Sequence, residues 1–268
     1  MGYKQMLREV VPGSVLELIP NGFRVIGDIA IIELPRSCLK YGSLVGDAIR
    51  SCQKNIKTVL AKVARVNGMA RTAGYEILSE SGTVTVHTEF RYRYKLDVSR
   101  VFFNPTLATE RIRVAGQVTA GERVLLPYAG VGPFVVPAAA RGAQVTAIET
   151  NMEACQWLAA NARRNRVEKN VLLIWGDLLR IIDHLDRPFD RAIVPAPYGK
   201  ELILEKITPI IKPGGWVHLY LFKKPYQLDS LREWSRESGY VTLSVQRCGN
   251  VAPGVSRFVF DMQKEAGS

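Results

Sequence analysis

The stretch that decides the fold is residues 124–151, VLLPYAGVGPFVVPAAARGAQVTAIETN. An apolar run, 124–126, is followed by a turn that carries Gly130 and Gly132. Small and apolar residues with helical spacing come next, and a second apolar run ends in Glu149. This order predicts a strand, a helix and a second parallel strand, with a ligand crevice at the carboxyl ends of the strands.

The glycines and the acid together indicate a cofactor that contains a nucleoside. Glycine lets the backbone approach a ligand closely, and Glu149 is placed to accept hydrogen bonds from both hydroxyls of a ribose. A third strand, predicted to end at Gly176-Asp177, places a carboxylate for an adenine amino group. No lysine follows the glycines, which excludes a triphosphate loop, and Phe134 stands near the third glycine position of a dinucleotide fingerprint. S-adenosylmethionine (SAM) fits better than NAD, and a tight turn without a ligand is the alternative.

The chain is strongly basic, with 36 Lys and Arg against 25 Asp and Glu and a formal net charge of +11. This charge favours a polyanionic partner, of which RNA is the first candidate, and a solvated basic surface is the alternative. The segment 91–95, RYRYK, alternates basic and aromatic residues as a strand with one basic face does. The segment 163–166, RRNR, is predicted to end a helix, where cations complement the helix dipole.

Other features exclude whole classes of protein. No apolar run is long enough to cross a bilayer and no signal-peptide core is present near residue 1, so we expect a cytoplasmic protein with no membrane partner. The cysteines lie far apart, which predicts reduced thiols in place of a disulfide framework. The three histidines are also dispersed. We therefore expect no metal site.

The pattern divides the chain into a small α+β domain (1–96), a linker with a helix (97–120) and a SAM-binding domain (121–268). In the last part strands and helices alternate, and the series ends with two strands. This predicts an α/β fold, a mostly parallel seven-stranded sheet of the class I methyltransferase (Rossmann-like) type with a terminal antiparallel hairpin. The predicted strands of this domain are 123–127, 144–148, 170–174, 190–194, 214–222, 240–248 and 256–262, and the predicted helices are 132–141, 151–165, 178–184, 200–210 and 226–237. Elsewhere we predict strands around a Gly27-Asp28 turn and at 58–66 and 82–87, and helices at 41–52 and 109–118.

Five short motifs recur together in a known family. They are FNPTLATER (103–111), AGVGPF (129–134), AIE (147–149), DRAI (190–193) and APGV (252–255). This set resembles the Met-10-like family, which contains tRNA guanine-37 N1-methyltransferases and the aminocarboxypropyl transferases of the wybutosine pathway. The resemblance covers about residues 20–262. It implies a class I methyltransferase fold, SAM as group donor or substrate, and tRNA as a possible partner.

The chain also departs from the methyltransferase pattern. The methyltransferases have Asp where this chain has Leu126, Ser-Pro-Arg where it has Asn104-Pro105-Thr106, and Asn-Leu-Pro where it has Pro195-Ala196-Pro197. The aminocarboxypropyl transferases also differ at 195–197, where they usually have a Gly. We further expect the tRNA-binding N-terminal domain of the long methyltransferases to be missing. In that family the lost Arg and Asn serve the guanine base, so the resemblance argues against standard N1-methylation.

The departures favour an intramolecular reaction of SAM. An apolar Leu126 gives the methionine ammonium no counter-charge, and desolvation favours the neutral, nucleophilic amine. Attack on the γ-carbon of SAM itself yields azetidine-2-carboxylate, a small-molecule product, and methylthioadenosine. Bacterial azetidine-2-carboxylate synthases are SAM cyclases of this general fold. The alternatives are a tRNA methyltransferase or aminocarboxypropyl transferase acting near position 37, and an RNA-binding module with a vestigial SAM site.

The predicted site draws residues from all three parts of the chain, which are the small domain, the linker with its helix and the SAM-binding domain. Aromatic side chains would surround the sulfonium, Asn104 and the segment 195–198 would hold the methionine arm folded, and Glu110, Arg111 or Arg91 would bind its carboxylate or accept a proton. The alternative for Tyr128 and Phe134 is core packing, and for Pro195 and Pro197 it is a strand end. Glu110 and Arg111 have an ion pair as their alternative, and Leu126 has strand filling. The predicted catalytic residues are Asn104, Tyr198, Glu110 and Arg111, and the predicted cofactor-binding residues are Phe103, Leu126, Tyr128, Gly130, Gly132, Phe134, Glu149, Thr150, Asn151, Asp177, Leu178, Pro195, Ala196 and Pro197.

Overall fold

The structure is a computed structural model that describes residues 2–63, 74–79, 82–186, 188–200, 202–252 and 254–267. The chain divides into two compact units, Met1–Pro105 and Thr106–Ser268. This division falls within the segment 97–120, which the sequence assigns to a linker and a helix, and the predicted domain limits remain a prediction.

The first unit is an α+β structure. Strands β1 to β4 form one sheet in the order β1-β2-β3-β4, in which β2 and β3 are parallel and the other neighbours are antiparallel, and β5 and β6 form a separate antiparallel pair. The strands are β1 (Arg24–Ile26), β2 (Ile29–Ile32), β3 (Thr58–Lys62), β4 (Tyr75–Ser79), β5 (Val84–Glu89) and β6 (Tyr92–Asp97), and the helices are α1 (Tyr3–Met6), α2 (Gly13–Leu18) and α3 (Gly42–Cys52).

Most predicted elements of this unit are present. The turn between β1 and β2 contains Gly27 at φ 60°, a backbone conformation that favours glycine. Strand β3 follows the prediction as far as Lys62, and residues 64–66 of the predicted strand lie outside the described residues. Strand β6 shows the expected alternation, because Tyr92 and Tyr94 are buried and Arg93 is exposed. Strand β4 was not predicted.

The second unit contains one seven-stranded sheet in the order β12-β13-β11-β10-β7-β8-β9. Five neighbouring strands, β11, β10, β7, β8 and β9, are parallel, and β13 is antiparallel to both β11 and β12. The strands are β7 (Arg123–Pro127), β8 (Gln144–Glu149), β9 (Val171–Trp175), β10 (Phe189–Val194), β11 (Ile211–Lys223), β12 (Tyr240–Ala252) and β13 (Val255–Lys264), and the helices are α4 (Ala108–Ala115), α5 (Val135–Ala139), α6 (Met152–Arg164), α7 (Leu178–Ile181), α8 (Ile203–Ile207) and α9 (Leu228–Glu237). This is the predicted class I methyltransferase layout.

The sheet forms because its central strands are apolar on both faces, as parallel strands covered by helices are. In β7, Val124, Leu125 and Leu126 have no exposed surface, and Leu126 pairs with Ala147 of β8. Parallel pairing brings the carboxyl ends of β7, β8, β9, β10 and β11 to one edge of the sheet. The glycine turn after β7 and Glu149 at the end of β8 therefore lie at the same edge.

Helix limits differ from the predicted ones at proline and at short final turns. The predicted helix 200–210 is α8 followed by a 3-10 turn, Thr208–Ile210, because the ring of Pro209 has no N–H to continue an α-helix. The predicted helix 178–184 likewise ends in a 3-10 turn, Ile182–His184. Among the described residues, we find no helix long and apolar enough to span a bilayer and no cluster of metal-binding side chains.

Candidate functional site

The glycine turn after β7 is closed by the acid at the end of β8. The Gly130 N–H donates to Oε2 of Glu149 at 2.8 Å. The other oxygen, Oε1, accepts the N–H groups of Thr150 and Asn151 at 2.8 and 2.9 Å. Three backbone donors thus fix the carboxylate at the carboxyl edge of the sheet. The Thr150 hydroxyl also donates to Oε1, at 3.3 Å, whereas Oε2 accepts one donor, the Gly130 N–H, so Oε2 is the oxygen with capacity for a ribose hydroxyl.

The two glycines of the turn serve different purposes. Gly130 has φ 55°, and a Cβ built there meets no protein atom within 4 Å, so its backbone faces open space. Gly132 has φ 92°, and a Cβ there would lie 3.1 Å from Leu158 of α6. Gly130 therefore leaves room for a ligand next to the backbone, and Gly132 lets the turn pack closely on a helix.

A buried side chain of helix α6 binds the glycine turn. The Asn161 side chain, which is fully buried, donates to the carbonyl of Val131 at 3.0 Å. The Ala129 N–H donates to the Ile148 carbonyl of β8 at 3.1 Å. These bonds satisfy the polar groups of a buried turn and fix its conformation.

A second acid lies beside the turn. Asp177 caps α7, because its Oδ1 accepts the Leu179 N–H at 3.0 Å. Leu178 beside it is buried. Burial, followed by the negative charge of Asp177, raises the pKa of Tyr128 to about 12. Both residues lie at the carboxyl edge of the sheet, Tyr128 directly after β7 and Asp177 shortly after β9.

Tyr128 lies in a backbone conformation that is unusual for its residue type. It has φ 56° without being a glycine, and it is half-buried against the core of the second unit. Such residues concentrate at functional sites, where the surrounding structure sustains the strain. Tyr128 stands directly between β7 and the glycine turn, so its conformation sets how the turn leaves the strand.

Leu126 fills strand β7, as the alternative interpretation of this residue states. Its side chain has no exposed surface, so it cannot line a ligand without a rearrangement of β7. The structure therefore gives Leu126 no direct access to the methionine arm of SAM. This removes the physical basis on which the sequence favoured a desolvated, neutral amine.

Helix α4 carries the predicted catalytic acid, Glu110, in a network of hydrogen bonds. Arg113 donates to both carboxylate oxygens at 2.8 and 2.7 Å, and the Tyr220 hydroxyl donates to Oε1 at 2.7 Å. The sequence offered an ion pair of Glu110 with Arg111 as the alternative. In the structure, the cation that pairs with Glu110 is Arg113. Arg111 lies with its guanidinium 5.6 Å from the ring centroid of Phe134.

Phe134 connects this helix to the glycine turn. Its ring is buried, and its centroid lies 5.2 Å from that of Tyr220. Phe134 is thus packed in the core, between Arg111 on one side and Tyr220 on the other. The arrangement keeps Glu110 close to the turn that carries Gly130 and Gly132.

Arg113 shares its guanidinium between two carboxylates. It donates to Asp261 of β13 at 2.8 and 3.1 Å, and Asp261 also accepts the Ser244 hydroxyl at 2.8 Å. Burial alone would raise the pKa of Asp261, but hydrogen bonds from His218, Arg113 and Ser244 outweigh it and hold the pKa well below its usual value.

His218 extends the network to β10. Arg191 lies 2.7 Å from its Nε2 and has only donors, so Nε2 accepts and Nδ1–H donates to Asp261 at 2.7 Å. Burial lowers the pKa of His218, although the bond to Asp261 opposes this effect. Arg191 also donates to Glu122 at 2.8 Å. The imidazole is therefore held neutral between a cation and an anion.

The segment after β10 does not form an enclosed aromatic cage. Ala196 is buried and the prolines on either side of it are half-buried, but the Tyr198 side chain is 77% exposed. Its ring centroid lies 6.2 Å from that of Phe222 at the end of β11. Tyr198 is therefore a surface residue in this structure.

Three predicted residues, Phe103, Asn104 and Arg91, belong to the first unit. Phe103 is buried there, with its ring centroid 5.1 Å from His87 and 5.9 Å from Tyr94. This is core packing within the first unit.

The residues of the second unit fit SAM. Glu149 and Asp177 lie at the carboxyl ends of the adjacent strands β8 and β9, where the sequence predicted anchors for ribose and adenine, and the open space over Gly130 leaves room for a ligand next to the backbone. The sequence did not point to Arg113, Tyr220 or Asn161, because their partners lie far away along the chain. Only the i,i+3 spacing of Glu110 and Arg113 on one helix is a signal that could have identified a member of the network.

Comparison with known proteins gives two matches that together span most of the chain. Residues 85–234 match the TRM5/TYW2 methyltransferase domain, and residues 3–82 match the TYW2 N-terminal domain.

Two curated relatives and one solved structure are informative. The chain is 37% identical to tRNA (guanine(37)-N(1))-methyltransferase Trm5b of Pyrococcus abyssi over 87% of its own length and 71% of the relative. It is 28% identical to tRNA(Phe) (4-demethylwyosine(37)-C(7)) aminocarboxypropyltransferase of Pyrococcus horikoshii, over 98% and 97% of the two chains. The structure of TYW2 from P. horikoshii in complex with MeSAdo superposes with a TM-score of 0.78 at 25% identity, covering 99% of this chain and 98% of that chain.

These findings confirm the predicted fold and the predicted dependence on SAM. They support an RNA transferase better than a cyclase, since both relatives act on tRNA by name. The chain belongs to the TRM5/TYW2 methyltransferase-domain family.

Proposed function

We propose that this chain transfers the aminocarboxypropyl group of SAM to the nucleotide at position 37 of a tRNA. The observation that carries the choice of group is the match of residues 3–82 to the TYW2 N-terminal domain, which accompanies a catalytic-domain match that both branches share. The aminocarboxypropyltransferase of P. horikoshii is also similar over almost the whole of both chains.

Methyl transfer to guanosine 37 is the second candidate. It is favoured by the 37% identity to Trm5b of P. abyssi, which is higher than the 28% identity to the aminocarboxypropyltransferase. Against it stands Thr106, at the position where the resembling methyltransferases carry an Arg that serves the guanine base, whereas Pro195-Ala196-Pro197 departs from both branches and does not discriminate between them. We weigh this site residue above the overall identity, because it would contact the reacting groups.

The residues of the second unit take defined roles under this proposal. Glu149 and Asp177 hold the adenosine, and Gly130 lets its backbone approach the cofactor. SAM supplies an electron-poor carbon next to its sulfonium, and its thioether leaves as methylthioadenosine. Glu110, which Arg113 and Tyr220 hold in a fixed orientation, is the candidate acceptor of the proton that the nucleobase loses.

The other predicted site residues keep narrower roles. Thr150 and Asn151 bind through their backbone N–H groups to Glu149 and so shape the ribose site. Tyr128 and Leu178 remain predictions for the adenosine end, and Phe134 is packed in the core next to Tyr220. Asn104, Phe103 and Arg111 remain predictions for the methionine arm.

Cyclisation of SAM to azetidine-2-carboxylate has less support than RNA transfer. The argument from the sequence depended on Leu126 contacting the methionine amine, and the side chain of Leu126 has no exposed surface. Neither relative described above is named as a cyclase. The reaction nevertheless has the same leaving group as aminocarboxypropyl transfer, so one experiment distinguishes the two.

That experiment is mass spectrometry of the products formed from SAM under three conditions: without RNA, with tRNA carrying guanosine 37, and with tRNA carrying 4-demethylwyosine 37. We expect methylthioadenosine and a heavier nucleoside only with 4-demethylwyosine. S-adenosylhomocysteine formed with guanosine 37 would instead establish methyl transfer. Methylthioadenosine formed without RNA, together with azetidine-2-carboxylate, would establish cyclisation. The Glu149→Ala variant should lose whichever activity is found, and Glu168→Ala, at an exposed position, should keep it.

A further inference from the structure

Two tyrosines stand almost fully exposed at the carboxyl edge of the large sheet. The Tyr198 side chain is 77% exposed and follows β10, and the Tyr226 side chain is 76% exposed and follows β11. Because β10 and β11 are adjacent and parallel, both tyrosines lie on the edge that also carries Glu149. They therefore share that edge with the cofactor turn.

Cations accompany the rings on this edge. The Lys224 ammonium lies 5.8 Å from the ring centroid of Tyr226. The Arg257 guanidinium lies 4.7 Å from the ring of Phe222, the ring on which Tyr198 packs. Each exposed tyrosine is thus part of a small group of aromatic and basic side chains. We call Tyr198, Lys224 and Tyr226 the aromatic edge.

This combination matches one class of ligand. Unpaired nucleotides stack their bases on aromatic rings and place their phosphates near lysine or arginine, whereas double-stranded RNA keeps its base faces hidden. An acidic peptide would use the cations and leave the ring faces unused. The formal net charge of +11 favours a polyanion throughout.

We propose that the aromatic edge binds unpaired nucleotides next to the one that is modified, by stacking their bases on Tyr226 and Tyr198 while Lys224 contacts a phosphate. The inference rests on the proposed function, because it places these nucleotides in the anticodon loop of the tRNA substrate. It goes further by assigning the loop bases to surface side chains outside the cofactor site.

The test is a binding titration with an anticodon stem–loop that carries fluorescent 2-aminopurine on either side of position 37. Stacking on tyrosine quenches this fluorescence. We expect Tyr226→Ala to weaken binding by about 5- to 150-fold and to abolish the quenching, as base–aromatic stacking predicts. Tyr226→Phe keeps the ring face and should bind like the parent protein. Lys224→Gln should lower the dependence of log affinity on log salt by about 0.7, the value for one phosphate of a single strand.

Two controls separate base stacking from nonspecific RNA binding. Leu172→Ala removes a side chain that is 60% exposed on the edge strand β9, and it should leave RNA binding unchanged. A fully paired duplex of the same sequence should bind equally to the parent and to Tyr226→Ala. Equal loss of both RNAs, or equal weakening by the alanine and phenylalanine variants, would overturn the proposal.

The result also separates this inference from the proposed function. If the parent modifies tRNA and Tyr226→Ala binds and quenches normally, the aromatic edge is refuted and the transferase stands. If the parent leaves every tRNA unmodified but binds an eight-nucleotide oligouridylate in a manner that depends on Tyr226, the transferase is refuted and the aromatic edge stands. Binding of an acidic peptide or an anionic vesicle in place of RNA, with loss in Tyr226→Ala, would also refute it.

Discussion

The backbone N–H of Gly130 and the carboxylate of Glu149 are joined by a 2.8 Å hydrogen bond that closes the glycine turn onto the end of β8. The same carboxylate accepts the N–H groups of the two residues that follow it. These bonds within the protein hold the turn in place, so little of the binding free energy is spent on ordering it.

Replacing Glu149 by Gln should weaken SAM binding without unfolding the protein. The amide has one acceptor oxygen, whereas the carboxylate has two, so at least one backbone donor and one ribose hydroxyl lose a charged partner. A hydrogen bond to a charged group contributes about 1.5–3 kcal/mol, which corresponds to about a 10- to 150-fold higher Kd. Isothermal titration calorimetry with SAM measures this change. Glu168→Gln in the same unit is the matched control, and an unchanged Kd for Glu149→Gln would contradict the assigned role.

Replacing Gly130 by Ala should separate backbone strain from ligand contact. Gly130 and Gly214 both have positive φ, 55° and 74°, and a Cβ at either meets no protein atom within 4 Å. Both alanine variants should lose about 1–2 kcal/mol of unfolding free energy, the cost of a left-handed residue. Only Gly130→Ala should also weaken SAM binding, because its methyl group enters the space assigned to the cofactor. Chemical denaturation and calorimetry on both variants test this, and equal SAM affinity would refute the assignment.

Replacing Arg113 by Met should destabilise the second unit strongly. The carboxylates of Glu110 and Asp261, whose side chains are 11% and 6% exposed, would lose their shared cation. Removal of one partner from a buried ion pair typically costs about 3–5 kcal/mol. Urea denaturation measures the loss. The exposed pair of Arg232 with Asp229 provides the control, and Arg232→Met should cost less than about 1 kcal/mol. A small loss for Arg113→Met would show that the network contributes little.

The neutral His218 should make stability depend on pH below about 6.5. Burial lowers the pKa of His218 in the folded protein, so the unfolded chain takes up a proton that the folded chain does not. The stabilisation is complete above the unfolded pKa and is lost as the pH falls below it, by at most about 1.4 kcal/mol per pH unit. His218→Gln should flatten the unfolding free energy between about pH 5 and 6.5. The exposed His184 gives a matched variant, His184→Gln, which should keep the parent slope.

The sequence predicted the central sheet well, because its signal is local. Strands β7 and β8 are continuous apolar runs bounded by a glycine turn and an acid, and the predicted limits agree within one residue. Strand β4 was missed because Ile77 is exposed and Leu78 is buried, an order with no clear alternation of apolar and polar residues. The proximity of Gly130 and Glu149 follows directly from the strand–helix–strand unit.

The remaining contacts of the site could not be predicted from local sequence patterns. Arg113 and Asp261 are 148 positions apart, and no periodicity joins them. The sequence offered an ion pair of Glu110 with Arg111, but adjacent residues point to different sides of a helix and those three apart share one, which makes Arg113 the partner. Aromatic identity did not distinguish the buried Phe134 from the exposed Tyr198, because burial depends on the tertiary fold.

The guanidinium that Glu110 and Asp261 share has a consequence for how this domain can change by mutation. Loss of the cation alone leaves two buried anions, and loss of one anion alone changes the charge balance around the other. Single replacements at these positions should therefore be eliminated by selection, whereas coordinated replacements survive. Across related sequences, position 113 is expected to covary with positions 110 and 261, although 261 is encoded at the opposite end of the domain.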